Sequence, residues 1–367
     1  MDFGWRAEQR EVYERMRALG AEADATVADG RMAILCRGGV LGLAVDAEYG
    51  GGGLDLVTTA LAYEGLGAGL RDGGVLLAAG AHLFGVALTI ARVGTPEQRR
   101  AWLPRLATGE VMATIAATEA DAGSHMAAVE ARVHHLEGGF RLTGEKRFVT
   151  WADRAGLFLT LARDDGKEHG LTTLLVPPGP GVVCGALLET AGLRGARVAP
   201  VRFACEVGAE ALLGREGAGL AVFQVAMTFE RALILAFRIG AMERALEEAV
   251  RFARERRPGG QSIGRHDAVA HRLARMKQRL EASRLLVYRA AWELDQGHRA
   301  QSEAALAKWQ LADAALASAL DAVALRGGVG YLEDGGLPSA VDDALGGTIH
   351  SGTPDVLATI VARWLGV

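Results

Sequence analysis

Most of the familiar arrangements of chemically active residues are absent from this sequence of 367 residues. His134 and His135 are adjacent, so in a strand they point to opposite faces, and no acidic or cysteine partner lies at ligand spacing; no metal site is expected. Cys36, Cys184 and Cys205 form no CxxC or Cys/His pattern and read as reduced core thiols. There is no GxSxG, no Walker loop and no GxGxxG between a strand and a helix. Gly50 to Gly53 reads as a turn between helices. What remains is a handful of hydroxyls and two titratable groups. Thr118 and Ser124 bracket a loop whose hydroxyls either cap turns or satisfy the acceptors of a ligand. Glu230 lies in Phe229-Glu230-Arg231-Ala232-Leu233-Ile234, an apolar setting that raises a carboxyl pKa toward the range of a useful base. His350 is either a neutral imidazole base or a packing residue.

These residues must be positioned by three kinds of segment. Val12, Met16 and Leu19 recur at helical intervals, and Leu54 to Leu70 and Gly73 to Val93 continue the helical pattern up to Gly94-Thr95-Pro96. Thr95 as N-cap, Pro96 at the first position and Glu97 in the first turn start a further helix. After about Val111 the period changes to short alternating runs between Gly and Pro, at Phe140 to Leu142, Leu157 to Leu161, Leu171 to Val176 and Val198 to Phe203. From Ala218 the helical period returns. Met242, Leu246, Ala249 and Ala253 share one face, Leu273 to Leu294 marks a long helix and Glu303 to Leu325 another. The expected fold is α+β and multidomain: an N-terminal α-helical domain (1–111), a middle antiparallel β domain (112–217) and a C-terminal four-helix bundle (218–367).

Composition narrows the function. Lys and Arg total 40 against 44 Asp and Glu, a net charge of −4 without long like-charge blocks, so neither nucleic acid nor an anionic membrane surface is an expected partner. The first ten residues carry Asp2, Arg6, Glu8 and Arg10 where a signal peptide would need an apolar core, and a cytoplasmic location is expected. Gly73 to Ala91 is long enough to cross a membrane, but His82, Thr89 and several Gly and Ala residues favour a helix buried in a bundle.

The order α, β, α becomes specific through short phrases along nearly the whole chain. They are Tyr49-Gly50-Gly51, Leu103-Pro104 with Gly109-Glu110, Thr118-Glu119-Ala120-Asp121-Ala122-Gly123-Ser124, Gly144-Glu145-Lys146-Arg147-Phe148-Val149-Thr150 and Gly192-Leu193-Arg194-Gly195. Leu213-Gly214, Glu230-Arg231, Glu255-Arg256, Gly327-Gly328-Val329-Gly330-Tyr331 and Ile349-His350-Ser351-Gly352-Thr353 follow in order. In these phrases the chain resembles the acyl-CoA dehydrogenases. The resemblance implies an FAD-dependent acyl thioester dehydrogenase, with FAD between the β domain and the C-terminal bundle and its adenine end reaching a neighbouring subunit. It implies flavin contacts from Thr118, Gly123, Ser124, Phe148, Thr150 and Thr353, and contacts given by Arg256, Gly327 and Gly328 on the adenine side. The expected partners are a CoA or carrier-protein thioester, an electron acceptor that is a second flavoprotein or oxygen, and further copies of the chain in a homotetramer or homodimer.

Departures from the family pattern qualify that carry-over. The family's α-proton base is usually a Glu before Gly-Thr, and here the position is Ser351, whose unassisted hydroxyl is far too weak a base. Ser351 and Gly352 keep a substrate role, with the Ser351 N–H polarising the thioester carbonyl. Glu230 falls where the isovaleryl and long-chain branches carry their base, and is the expected catalytic residue; a structural pairing with Arg231 is the alternative. Phe148 stands in place of a Trp, Gly259, Asp267 and Ala324 replace an aromatic and two amides, and Asp342-Asp343 replaces Arg-Asp. Two rival readings follow from these losses: a half-site or non-catalytic subunit of a heteromeric assembly, and a flavin monooxygenase on the same fold.

Overall fold

The computed structural model describes residues 4–166, 170–332 and 336–367. Six helices open the chain: α1 (Ala7–Asp24), α2 (Ala28–Arg37), α3 (Leu56–Gly69), α4 (Gly73–Gly80), α5 (Leu88–Val93) and α6 (Pro96–Thr108). Seven strands follow: β1 (Ala113–Ala116), β2 (Arg132–Leu136), β3 (Gly139–Val149), β4 (Leu157–Asp164), β5 (Leu171–Val176), β6 (Val182–Cys184) and β7 (Ala199–Gly208). The chain then returns to helix in α7 (Gly219–Leu233), α8 (Ala236–Glu255), α9 (Asp267–Asp295), α10 (Gln301–Arg326), α11 (Leu337–Gly347) and α12 (Pro354–Leu365). The expected order of helical, β and helical domains is what the chain adopts.

The local signals act as their chemistry requires. Thr95 Oγ1 accepts from the Gln98 N–H at 3.2 Å while Gln98 Oε1 accepts from the Thr95 N–H at 3.0 Å, a reciprocal box that starts α6. Gly73 to Val93, which reads as one helix, is interrupted by a π-helical segment, Ala81–Ala87, between α4 and α5. No proline marks the change. The segment is wholly buried, and its widened turn points His82 at two backbone groups: Nδ1 accepts from the Ala113 N–H at 2.9 Å and Nε2 donates to Leu106 O at 3.0 Å.

Those bonds require a neutral ring, and burial pushes the His82 pKa down to about 4. In the unfolded chain the same ring titrates near 6.5, so between these values the unfolded state binds a proton that the folded state refuses. Stability contributed by neutral His82 is therefore present above pH 6.5 and is lost as pH falls toward 4, by about 3 kcal/mol. The urea midpoint is expected to fall across this window, and less steeply in His82→Asn; equal slopes would remove His82 as the cause.

The strands form one sheet in the order β1-β4-β2-β3-β7-β6, with β5 on β4. Four pairings are antiparallel as expected, but β1 with β4 and β2 with β4 are parallel. Parallel neighbours need a long crossover, and the β2–β3 hairpin supplies it between β1 and β4. In β7 Val201, Phe203 and Cys205 face inward and Arg202, Ala204 and Glu206 outward, whereas β5 is buried on both faces.

The three domains do not have three separate interiors. Residues of α3, α4, the π segment, α8, α9 and α10 share one apolar cluster, and the sheet holds another. Glycines let α3 and α8 approach closely: a Cβ on Gly67 would lie 1.7 Å from Phe237 O, and one on Gly240 would lie 1.9 Å from Glu64 O. Two helical stretches, Gly73–Val93 and Gly219–Glu255, are long and apolar enough to cross a membrane, and in the fold their apolar windows are 94% and 67% buried. Their hydrophobicity is spent on these internal contacts.

Candidate active site

A cavity of about 670 Å³ opens between the sheet, α7 and the segment that joins α11 to α12. The sheet side begins with Thr118, which follows β1, and the Gly123–Ser124 turn. A buried lysine sets this loop. Lys146 Nζ on β3 donates to Ala117 O at 3.0 Å and to Glu119 Oε1 at 2.6 Å, and Glu119 in turn accepts from the N–H groups of Glu130 and Ala131. Lys146 Nζ also donates to Leu161 O at 2.5 Å, so all three ammonium protons and both carboxylate oxygens are engaged, as burial demands.

Phe148 reaches the cavity for a different reason. The β3–β7 register slips between Lys146 and Val149, and Phe148 takes a positive φ of 54°. A bulge of this kind turns a side chain out of the strand's alternation, and Phe148 is left 62% exposed with its ring in the cavity wall beside Thr150. Alternation alone would have placed both residues on one regular strand face.

The helical side carries the charge. Glu230 on α7 is buried, and its Oε1 accepts from Ser351 Oγ. Its Oε2 lies against Gly85 of the π segment, where a Cβ would be only 2.8 Å away. Two cations brace the Ser351 loop: Arg231 Nε donates to Ser351 O at 2.9 Å and Lys308 Nζ donates to Gly352 O at 2.6 Å. Burial raises the Glu230 pKa, opposed by the Ser351 hydrogen bond and the charges of Arg231 and Lys308. Burial and the Arg231 charge lower Lys308 to about 8, while Glu230 and Asp313 hold it up.

Thr118, Gly123, Ser124, Phe148, Thr150, Glu230, Ser351, Gly352 and Thr353 therefore line one cavity. Arg256, Gly327 and Gly328 do not: Arg256 is exposed at the C-cap of α8, and the two glycines are exposed where α10 ends. Asp342 lines the cavity, while Asp343 points away from it and accepts from the Leu193 N–H at 2.6 Å. Arg238 donates to Asp343 O and faces its carboxylate at 3.6 Å. These partners serve Asp343, the acid that the family pattern also has, while the replaced position, Asp342, faces the cavity. Sequence reasoning missed Gly85 and Lys308. The isolated charge in Ala304-Ala305-Leu306-Ala307-Lys308-Trp309 was the available signal for the second.

Comparison with known proteins agrees with this architecture. Models of the acyl-CoA dehydrogenase N-terminal, middle and C-terminal domains match residues 6–110, 114–205 and 217–366. The chain belongs to the acyl-CoA dehydrogenase family. An L-prolyl-[peptidyl-carrier protein] dehydrogenase of Pseudomonas fluorescens is 39% identical, covering 96% of this chain and 94% of that protein. Among solved structures, the prolyl acyl carrier protein oxidase AnaB has a TM-score of 0.94 at 32% identity, covering 99% of this chain and 100% of that one. PigA with FAD and proline has a TM-score of 0.95 at 31% identity, covering 100% and 99%.

This member of the family is an FAD-dependent acyl thioester dehydrogenase. The residues present fit a flavin: the cavity wall offers an exposed aromatic ring, the hydroxyls of Thr118, Ser124 and Thr150, and Thr353, whose side chain makes no capping bond to α12. When bound, FAD supplies the acceptor for the hydrogen that leaves the β-carbon as hydride.

Proposed function

We propose that this chain dehydrogenates a prolyl group held as a thioester on a peptidyl carrier protein, with Glu230 taking the α-proton. The observation that carries the reading is the buried Glu230 carboxyl in the cavity wall, hydrogen-bonded to the Ser351 that replaces the loop carboxylate. The prolyl substrates named for its relatives supply the acyl group. A base must be ionised and within reach of the proton it abstracts, and Glu230 is the carboxyl held rigidly at this wall. Leu77, Ala81, Phe223 and Met227 furnish apolar wall suited to a pyrrolidine ring. The N–H groups of Ser351 and Gly352 are assigned to the thioester carbonyl, whose developing negative charge they would stabilise. Arg231 on the Ser351 carbonyl fixes the peptide unit that carries the Gly352 N–H, and Lys308 on the Gly352 carbonyl fixes the unit that follows it.

Thr118, Gly123, Ser124, Phe148, Thr150 and Thr353 are assigned to the chain's own flavin, and Arg256, Gly327 and Gly328 to the flavin of a neighbouring copy. The protein is accordingly a cytoplasmic homo-oligomer in this reading. Val329, Tyr331 and Leu332, exposed beside Gly327 and Gly328, suit a surface covered by such a copy. Reoxidation by oxygen or by a second flavoprotein completes the cycle.

The test is anaerobic bleaching of the bound flavin by prolyl carrier protein, free proline, prolyl-CoA and butyryl-CoA. Rapid bleaching by the prolyl carrier thioester is expected, and faster reduction by a straight-chain acyl-CoA would overturn the substrate assignment. Reoxidation in air against an added flavoprotein distinguishes the acceptors.

Gly85 offers a second check. In Gly85→Ala the new Cβ would lie 2.8 Å from both Glu230 Oε2 and Ile115 Cδ1, two side-chain ends, so the carboxyl is pushed from its place while the backbone stays. The rate of flavin reduction is expected to fall about 10–100-fold, since misplacement by about 1 Å can cost that much. Stability should change by less than about 1 kcal/mol, because alanine is the better helix residue by that order. Equal rates for both proteins would show that Oε2 is not held at this place.

A further inference from the structure

Ser351 carries a positive φ of 57°, which costs energy in a non-glycine residue, yet the loop is braced in that conformation by Arg231 and Lys308 on the carbonyls of residues 351 and 352. The same conformation places the Ser351 hydroxyl between two groups. Oγ donates to Glu230 Oε1, and His350 Nδ1 lies 3.1 Å from Oγ on its other side. His350 Nε2 is buried with no hydrogen-bond partner.

Hydrogen-bond arithmetic decides the direction of this chain. An ionised carboxylate only accepts, so the single hydroxyl proton of Ser351 is used on Glu230. Oγ then has lone pairs alone to offer His350, and Nδ1 must carry the ring proton. In a neutral ring that leaves Nε2 as an acceptor. An unpartnered buried acceptor is less costly than an unpartnered N–H, so the orphan atom agrees with the assignment made from the other nitrogen. Burial and the nearby charges of Lys308 and Arg238 push His350 down to about 3, which keeps the ring neutral.

We propose that Ser351 and His350 are positioning residues for Glu230: the His350 Nδ1–H donates to Ser351 Oγ and thereby commits the serine proton to the carboxylate. The inference rests on the reading of Glu230 as the base and adds what holds that base ionised and in one rotamer. Loss of the loop carboxylate is then not a bare deletion. The hydroxyl that replaces it serves the carboxylate on α7, and the imidazole beside it removes the serine's freedom to turn away. The charged groups facing this trio are Arg231 on α7, Lys308 on α10 and Arg238 on α8, with Asp313 beside Lys308. None of them is altered in the variants below.

The experiment is an infrared pH titration of the flavin-loaded protein, reading the protonated-carboxyl band that Glu230→Gln removes. Ser351→Gly deletes the hydroxyl and keeps the backbone, since glycine adopts a positive φ without strain; Ser351→Ala repeats the deletion with a side chain present. The midpoint for Glu230 is expected to rise by one pH unit or more in both, a tenfold gain in proton affinity. It should rise by a smaller step in His350→Phe. If wild-type Glu230 stays ionised to the acid limit, appearance of the band in Ser351→Gly is the same result. An unchanged midpoint in both serine variants would overturn the proposal, and a shift there without one in His350→Phe would remove His350 from it. Because the titration needs no turnover, it is separable from failure of the base assignment, which would appear as full flavin reduction by Glu230→Gln.

Discussion

Replacing Glu230 by glutamine is expected to slow flavin reduction by the thioester substrate about 10³-fold while the flavin stays bound. General bases contribute roughly 10²–10⁴-fold, and Glu230 is the carboxyl hydrogen-bonded to Ser351, Asp342 being a separate one in the cavity wall. Glutamine keeps the shape and an acceptor oxygen for the Ser351 hydroxyl, so loss of rate without loss of flavin would isolate the proton acceptor. The pH profile supplies an independent sign. Burial raises the Glu230 pKa, and only its ionised form is a base, so the wild-type rate should fall with decreasing pH at values above the usual carboxylate range. In Glu230→Gln that acid limb should vanish from the residual rate. Stopped-flow bleaching at several pH values measures both effects. Turnover equal to wild type would exclude Glu230 as the base.

Replacing Arg284 by methionine is expected to destabilise the fold by about 3–5 kcal/mol at pH 8, the usual consequence of removing one member of a buried ion pair. Glu64 on α3 is fully buried and accepts from Arg284 Nε and Nη2 at 3.0 and 2.6 Å, and from Tyr288 Oη at 2.6 Å. These bonds tie the N-terminal helices to α9. Without the guanidinium, the buried carboxyl, whose pKa burial already raises, takes up a proton instead of remaining charged. The folded variant then binds a proton that its unfolded state has released, and stability falls as pH rises through that interval. The deficit in urea midpoint should accordingly be smaller at pH 5.5 than at pH 8. Adding Glu64→Gln to the variant should recover part of it. A deficit below about 1 kcal/mol at pH 8 would show that the pair does not clamp the two helical regions.

Local signals accounted for much of this structure because they depend on neighbours in the chain. The capping box at Thr95 and the apolar faces of α8 and α9 need only residues three or four apart, and they form where expected. The π segment at Ala81–Ala87 did not announce itself, because its sequence is as apolar as the helix on either side. Nor did the bulge that turns out Phe148: it is defined by a register against β7, about fifty residues away.

The same division holds at the site. Family phrases and an apolar setting were enough to single out Thr118, Ser124, Phe148, Thr150 and Glu230, since residue type and local order carry that information. Whether Glu230 had a partner was a question of distance across 121 positions to Ser351, which only packing answers. Gly85, Lys308 and Arg231 enter for the same reason: a missing Cβ, a buried Lys and a half-buried Arg gain meaning only when α7, α10, the π segment and the loop after α11 converge. Residue identity limits which chemistry is available, but hydrogen bonds act only within a few ångströms and charge coupling weakens with distance, so tertiary structure decides which of the available groups act on one another.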